Sequence, residues 1–197
     1  MPSEILNNGM LRRLYAVDEP AFASHLLRLD AAARHDRFGM GMSDAALTNY
    51  ANGCFGPWDL VYGFFVDGEI RAAGELRQLV KTSFAVERKA EAAFSVEYNW
   101  RRLGLGTALM RRIVRAAQNR RDATLHLMCL ADNRAMQGLA RKFDAELEFA
   151  TDQVTGRLTA RHVSPLSLMN EAIDDASGLA QAMVDARRRK AELAPAV

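Results

Sequence analysis

Two glycines one residue apart, Gly104 and Gly106, sit in the stretch Arg101-Arg102-Leu103-Gly104-Leu105-Gly106-Thr107. Before them lies a short, mostly apolar run, Ala90 to Val96. After them Leu105, Leu109, Ile113 and Ala116 recur at helical spacing. Without a Cβ, glycine lets the backbone bend freely and be approached closely. A helix starting at such a loop turns unpaired N–H groups outward, and its dipole adds partial positive charge. The chemistry offered is phosphate binding. A dinucleotide fingerprint would need a third glycine where Leu109 stands, and a P-loop would need lysine after Gly106, where Thr107 stands. Both nucleotide readings therefore fail. The amides of Leu103, Gly104, Leu105, Gly106 and Thr107, with the side chains of Arg101 and Arg102, remain as a seat for another anionic cofactor.

The pattern Arg101-x-x-Gly104-x-Gly106, five residues after Val96 and just before an amphipathic helix, resembles the Gln/Arg-x-x-Gly-x-Gly/Ala signature of the GNAT superfamily of acyl-CoA-dependent N-acyltransferases. The resemblance implies that the loop holds the pyrophosphate of coenzyme A. Further segments resemble one branch, the acyltransferase domain of bacterial Pat-like protein-lysine acetyltransferases. These are His25 to Arg34 with Arg37-Phe38, Ala90-Glu91-Ala92-Ala93, and Asn133-Arg134-Ala135-Met136 with Leu139-Ala140-Arg141-Lys142. The resemblance spans roughly residues 11 to 163. It implies acetyl-CoA as co-substrate, and transfer of its acetyl group to a primary amine in a ternary complex. A protein lysine is the favoured acceptor, with a small-molecule amine left open. It also implies that Glu91 is the base and that the strand-end amide of Val96 polarises the thioester carbonyl. Two positions depart from the pattern. Many family members carry an acidic tyrosine where this chain has Ala140, although the Pat-like branch lacks it too. Asp144-Ala145 replaces the usual Gly-Phe, which predicts a different helix exit.

The residues can be weighed against that chemistry. An amine must lose a proton before it can attack, so a base is required. Glu91 lies among Ala90, Ala92, Ala93 and Phe94, an apolar setting suited to a carboxylate that takes up a proton. Glu97 shares its strand face by alternation and is the second candidate, acting through water. Asn133 fits either the pantetheine arm or a helix cap. Tyr98 fits either a substitute acid or a surface aromatic. A rival reading keeps the fold and drops the chemistry: a module that binds acyl-CoA without catalysis, as sensor or assembly partner.

The elements around these residues must position them. The 197-residue chain, 25% charged and 49% hydrophobic, suits one domain with an appendage. A net charge of +2 is too small to imply nucleic-acid binding, no apolar run reaches membrane-span length, and Glu4 among polar residues leaves no signal-peptide core. Cys54 and Cys129 lie in unrelated segments and the histidines form no cluster, so the expectation is free thiols in a reducing cytoplasm and no metal. The arginines from 101 to 121 crowd the glycine loop and its helix, mostly as a solvated face.

In order, the chain reads as a polar start to Gly9, then a strand over 11–17. A helix is opened by the capping acid Asp18 and Pro20, with residues 31–34 as an extension, and a second helix opens at Ser43-Asp44. Strands over 60–66 and 70–79 are joined by Asp67-Gly68, and a polar link covers 81–89. The strand 90–96 and helix 104–119 follow, then a strand over 123–130 and a helix capped at Asp132-Asn133. A hairpin turns at Thr155-Gly156. This predicts an α/β fold with a mixed central sheet flanked by helices, the GNAT element order, over residues 1–163. Residues 164–197 form an extra C-terminal helix. In it Met169, Ile173, Ala176, Leu179 or Ala180, and Met183 trace one stripe, opposite Asn170, Asp174, Asp175, Gln181 and Asp185. That helix either packs back on the domain or pairs with a second copy, and Gly178 points to a bend or close packing.

Overall fold

The computed structural model describes residues 9–79, 88–122, 124–159 and 163–192. Most of the link expected over 81–89 and the polar start before Gly9 fall outside them. The chain runs β1 (Met10–Leu14), a 3-10 turn (Ala16–Asp18), α1 (Glu19–Leu27), α2 (Ala31–Phe38), α3 (Asp44–Asn52), β2 (Leu60–Val66), β3 (Glu69–Gln78) and β4 (Lys89–Val96). A second 3-10 turn (Tyr98–Trp100) leads to α4 (Leu105–Asn119), β5 (Thr124–Leu130), α5 (Arg134–Arg141), β6 (Glu146–Phe149), β7 (Gln153–Thr159) and α6 (Pro165–Glu192). The strands form one seven-stranded sheet ordered β1-β2-β3-β4-β5-β7-β6, antiparallel except where β4 meets β5. That parallel pair needs a crossover, and α4 supplies it. The expected mixed sheet flanked by helices is the observed one. No helix among the described residues is long and apolar enough to cross a membrane.

Each face of the sheet has its own core. On one, Leu105, Leu109, Met110 and Ile113 of α4 pack on Tyr62, Leu76, Ala92, Leu125 and Leu127. On the other, Phe22, Leu26 and Leu29 pack with Leu47 and Ala51 of α3 against Val61, Phe65 and Ile70. Alternation along β4 sends Ala90 and Ala92 to the α4 face, and Glu91, Ala93, Ser95 and Glu97 to the α1–α3 face.

Local signals placed several elements. Asp67 and Gly68 both take positive φ, +52° and +78°, the geometry of a two-residue hairpin turn. Others were overruled. Asp18 makes no cap to α1; its buried carboxylate takes both Arg12 NH groups at 2.7 and 2.8 Å. Residues 31–34 do not extend α1, because Asp30 accepts from Ala33 N at 2.7 Å and starts a separate helix. The last hairpin turns at residues 150–152, and Thr155 and Gly156 lie inside β7. Asp144 takes φ +61°, the left-handed conformation glycine usually supplies after a helix, and Ala145 N donates back to Ala140 O at 3.2 Å. The exit expected to differ is therefore of the usual kind.

The C-terminal helix packs back on the domain, along β1 and α4. Asp174 pairs with Arg112 and Arg115, Glu171 with Arg120, Asp175 with Arg13, and Asp185 with Arg12. Three of the arginines expected to form a solvated face, Arg112 and Arg115 on α4 and Arg120 at its C-cap, thus have partners. Gly178 permits close packing: a Cβ there would sit 3.3 Å from Cβ of Arg12 and 3.7 Å from Arg13 N.

Candidate active site

β4 and β5 run side by side only from Lys89↔Thr124 to Ala92↔Leu127, and then part. The backbone phase of β4 follows from two bonds to the β3 side: Glu97 N donates to Arg71 O, and Leu79 N to Lys89 O. Odd-numbered residues of β4 therefore point their backbone groups at β3, and even-numbered ones away from it. Ala90 and Ala92 meet β5. Phe94 and Val96, beyond the parting, direct their N–H groups into the gap. The gap is a cleft of about 280 Å³, lined on one wall by Glu91, Ala93 and Phe94 and on the other by Met128, Leu130 and Asn133. α2 packs against both strands and contributes Asp36, Arg37 and Phe38 to the lining.

At one end the glycine loop enters α4. Gly104 is the N-cap with φ +88°, and the first bond within the helix is Ala108 N to Gly104 O at 3.0 Å. Helix geometry leaves the amides of Leu105, Gly106 and Thr107 without a partner inside α4, facing outward at its positive end. Gly106 is needed for neither backbone conformation nor packing, since a Cβ there would meet Leu139 at an ordinary 3.6 Å. Arg102 is exposed with φ +62°, and Arg101 donates from Nε to Val96 O at 3.4 Å. Arg101 thus ties the loop to the end of β4 at Val96, while neither Val96 nor residues 101–107 are among those lining the cleft; the outward amides and flanking cations of the loop suit an anionic ligand.

Asn133 caps α5, its side chain accepting from Met136 N at 2.9 Å, and also lines the cleft. Tyr98 is 71% exposed, with the Arg101 guanidinium over its ring, so it is a surface aromatic. Ala140 is buried in the core.

The two carboxylates of β4 have separate fates. Glu91 faces the cleft, in register with Arg77 of β3 and His126 of β5. Glu97 is buried and fully engaged. His25 Nδ1 and Arg28 Nε reach its Oε1 at 3.1 and 2.9 Å, and Arg71 reaches Oε2 at 3.2 Å. Burial pushes the Glu97 carboxyl up, but His25 and Arg28 outweigh it and hold it below the usual range. A carboxylate so held is a poor base, and Glu97 drops out of that role.

Three features escaped sequence reasoning. Asp36 brings a second carboxyl into the cleft. Burial and neighbouring Asp132 raise it, against the pull of Arg101. His25 is buried between Glu97 and Ser95, its Nε2 2.9 Å from Ser95 Oγ. Glu75, also buried, accepts from Arg37 at 2.8 Å, Tyr50 at 2.7 Å and Arg77 at 3.2 Å, which fixes Arg37 at the cleft wall. His25 carried a signal, as a polar residue at helical spacing with Phe22, Leu26 and Leu29. Asp36 and Glu75 carried none.

The family model for the acetyltransferase (GNAT) family matches residues 23–145, most of the chain, and the chain belongs to that family. No curated protein matches the sequence. Among solved structures, the GNAT domain of S. lividans PAT is similar at 15% identity and a TM-score of 0.67, over 77% of this chain and 90% of that one. The ribosomal-protein-S18-alanine N-acetyltransferase from Escherichia coli is 19% identical with a TM-score of 0.59, over 80% and 97%. A putative acetyltransferase from Salmonella typhimurium, solved with its cofactor acetyl-CoA, is 13% identical with a TM-score of 0.63, over 81% and 98%.

Proposed function

We propose that this member of the GNAT family transfers the acetyl group of acetyl-CoA directly to a primary amine, with a protein lysine the favoured acceptor. The observation that carries the reading is the parting of β4 from β5 beside the glycine loop, with Glu91 on the wall of the gap. The co-substrate is acetyl-CoA. Its pyrophosphate lies on the amides of Leu103 to Thr107, with Arg101 and Arg102 beside them, and its pantetheine arm runs down the gap past Nδ2 of Asn133.

Glu91 takes the proton from the acceptor ammonium, freeing the lone pair. The amine nitrogen bonds to the thioester carbon, and the amide of Val96 receives the charge that develops on the carbonyl oxygen. A fixed backbone donor needs no reorganisation as that charge appears. The C–S bond then breaks as the nitrogen gives up its extra proton to water, and the departing thiolate takes a proton from water, so that an amide and free coenzyme A result. Asp36, the second carboxylate of the lining, favours a cationic acceptor at the cleft mouth.

The test is release of free thiol from acetyl-CoA as amines are added, alongside an acetyl-CoA titration. Turnover with lysine peptides or small amines supports the reading. Binding without turnover for any amine favours the non-catalytic acyl-CoA module, the reading that the alanine at position 140 leaves standing.

A further inference from the structure

The C-terminal helix docks in an unusual sense. Its acidic face is turned inward onto arginines of β1 and α4, and its apolar stripe is turned out. Leu166, Met169, Ile173 and Met183 are 61, 54, 60 and 52% exposed, and Ala176, Ala180 and Arg187 are exposed as well. These seven positions, 166, 169, 173, 176, 180, 183 and 187, alternate steps of three and four throughout. That is the 3.5-residue repeat by which one helix packs along another. At 1.5 Å per residue the seam is about 33 Å long and roughly 10 Å wide, the scale at which exposed apolar patches mark interaction sites.

We infer that this face is the interface of a homodimer, in which two copies of the helix pair antiparallel about a two-fold axis. The seam's own sequence selects the partner. Running antiparallel with its centre between residues 174 and 175, it sets Ile173 on Ala176, Met169 on Ala180 and Leu166 on Met183, large beside small along most of its length. In a parallel pair, Ala176 and Ala180 would meet their own copies in adjacent thin layers, and Arg187 would face Arg187. The antiparallel pair moves these arginines to opposite ends. The positions flanking the seam, Asn170, Ala172, Ser177, Leu179, Val184 and Ala186, are uncharged, so nothing repels a second copy. A lipid surface fits less well: membrane-lying helices carry cations along their flanks, and here the exposed cations among the described residues are Arg187 and Arg188, at the helix end. A closed pair of identical patches is also the commonest form of assembly.

The test is sedimentation of the full chain. The wild type is expected at twice the chain mass, and Ile173→Asp at the monomer mass, with its fold and acetyl-CoA binding retained because within one chain Ile173 is 60% exposed. The double variant Leu166→Cys with Met183→Cys is expected to form a covalent dimer on oxidation, and Leu166→Cys alone is not. A monomeric wild type at about 100 μM overturns the inference. So does a dimer that Ile173→Asp leaves intact, or ready crosslinking of Leu166→Cys alone. Co-sedimentation of monomeric wild type with phosphatidylserine vesicles would assign the face to membrane and also overturn it.

Discussion

His25 Nδ1 stands 3.1 Å from Glu97 Oε1, and both residues are buried. A carboxylate can only accept, so Nδ1 carries the proton and Nε2 accepts from Ser95 Oγ at 2.9 Å. One neutral imidazole thereby links α1 to the end of β4, through Ser95 and Glu97, the residues on either side of Val96. The same contact explains why Glu97 serves structure while Glu91, six residues earlier on the same face, remains open to the cleft.

Burial depresses the His25 pKa, so the folded protein favours the uncharged ring. A depressed folded value means that the unfolded chain binds more protons as the pH falls below the ordinary 6.5. The stabilisation is complete above that pH and is lost on acidification toward the folded value. Glu97, also depressed, adds a second loss below 4.5. The melting temperature is expected to fall as the pH drops from 7 to 5. His25→Gln should be less stable at pH 7 and should show a flatter profile over that interval. Thermal melts of the two proteins across the range check this; parallel profiles would remove His25 as the source.

Glu91→Gln keeps the shape of the cleft wall and removes the proton acceptor. Loss of a general base costs roughly 10²–10⁴ in rate, so turnover should fall by that order while acetyl-CoA affinity stays as in the wild type. Asp36→Asn should behave differently, raising KM for cationic amines several-fold with kcat little changed. Steady-state kinetics with a lysine peptide separates the two. An unchanged kcat in Glu91→Gln would refute the assignment of the base.

Local demands made much of the fold readable. The Asp67-Gly68 turn announced itself because positive φ at two successive residues is a local requirement. The glycine loop was readable for the same reason, and so was α4 with its stripe of Leu105, Leu109 and Ile113. Contacts between distant segments were not. Thr155-Gly156 has turn composition, yet Gly156 sits inside β7, where the Leu147 side chain comes within 3.2 Å of where a Cβ would be. Asp18 has the chemistry of a cap, and Arg12 claimed it. The stripe on α6 was visible, but which face docks was decided by Arg112, Arg115 and Arg120, some fifty to sixty residues upstream. The site divides in the same way: Glu91 could be nominated from its strand, whereas Asp36 reaches the cleft only because α2 spans both strands.

Arg12 is the pin between β1 and two other segments. Its guanidinium forks onto buried Asp18, reaches Asp185 of α6 at 3.1 Å, and lies 4.2 Å from the centre of the Phe65 ring. Arg12→Ala removes the two short bonds to the fully buried Asp18 carboxylate and leaves it, among the cations of the described residues, only the longer contact to Arg189, at 3.4 Å. Breaking a buried pair from one side typically costs about 3–5 kcal/mol. Arg12→Lys restores charge without the fork and should recover only part of this. Urea unfolding measures both, and a loss below about 1 kcal/mol for the alanine variant would show that Arg189 suffices to hold Asp18.

The two glycines of the loop should respond oppositely to alanine. At Gly104 the backbone has φ +88°, where a Cβ is strained by about 1–2 kcal/mol. Gly104→Ala should therefore lower stability, and by disturbing the N-cap of α4 it should also weaken acetyl-CoA binding. At Gly106 the added methyl would lie 3.6 Å from Leu139, an ordinary contact, inside the first turn of a helix. Alanine outranks glycine there by up to about 1 kcal/mol, so Gly106→Ala should leave stability unchanged or raised. Acetyl-CoA binding then reports on the approach of the pyrophosphate alone. A large loss of affinity in a fully stable Gly106→Ala would show that the ligand sits against that Cα. Retained affinity would place it on the amides farther up the loop, from Leu103 to Leu105. Denaturant melts beside acetyl-CoA titrations of the two variants give both answers, and equal stability of Gly104→Ala and the wild type would contradict the left-handed N-cap.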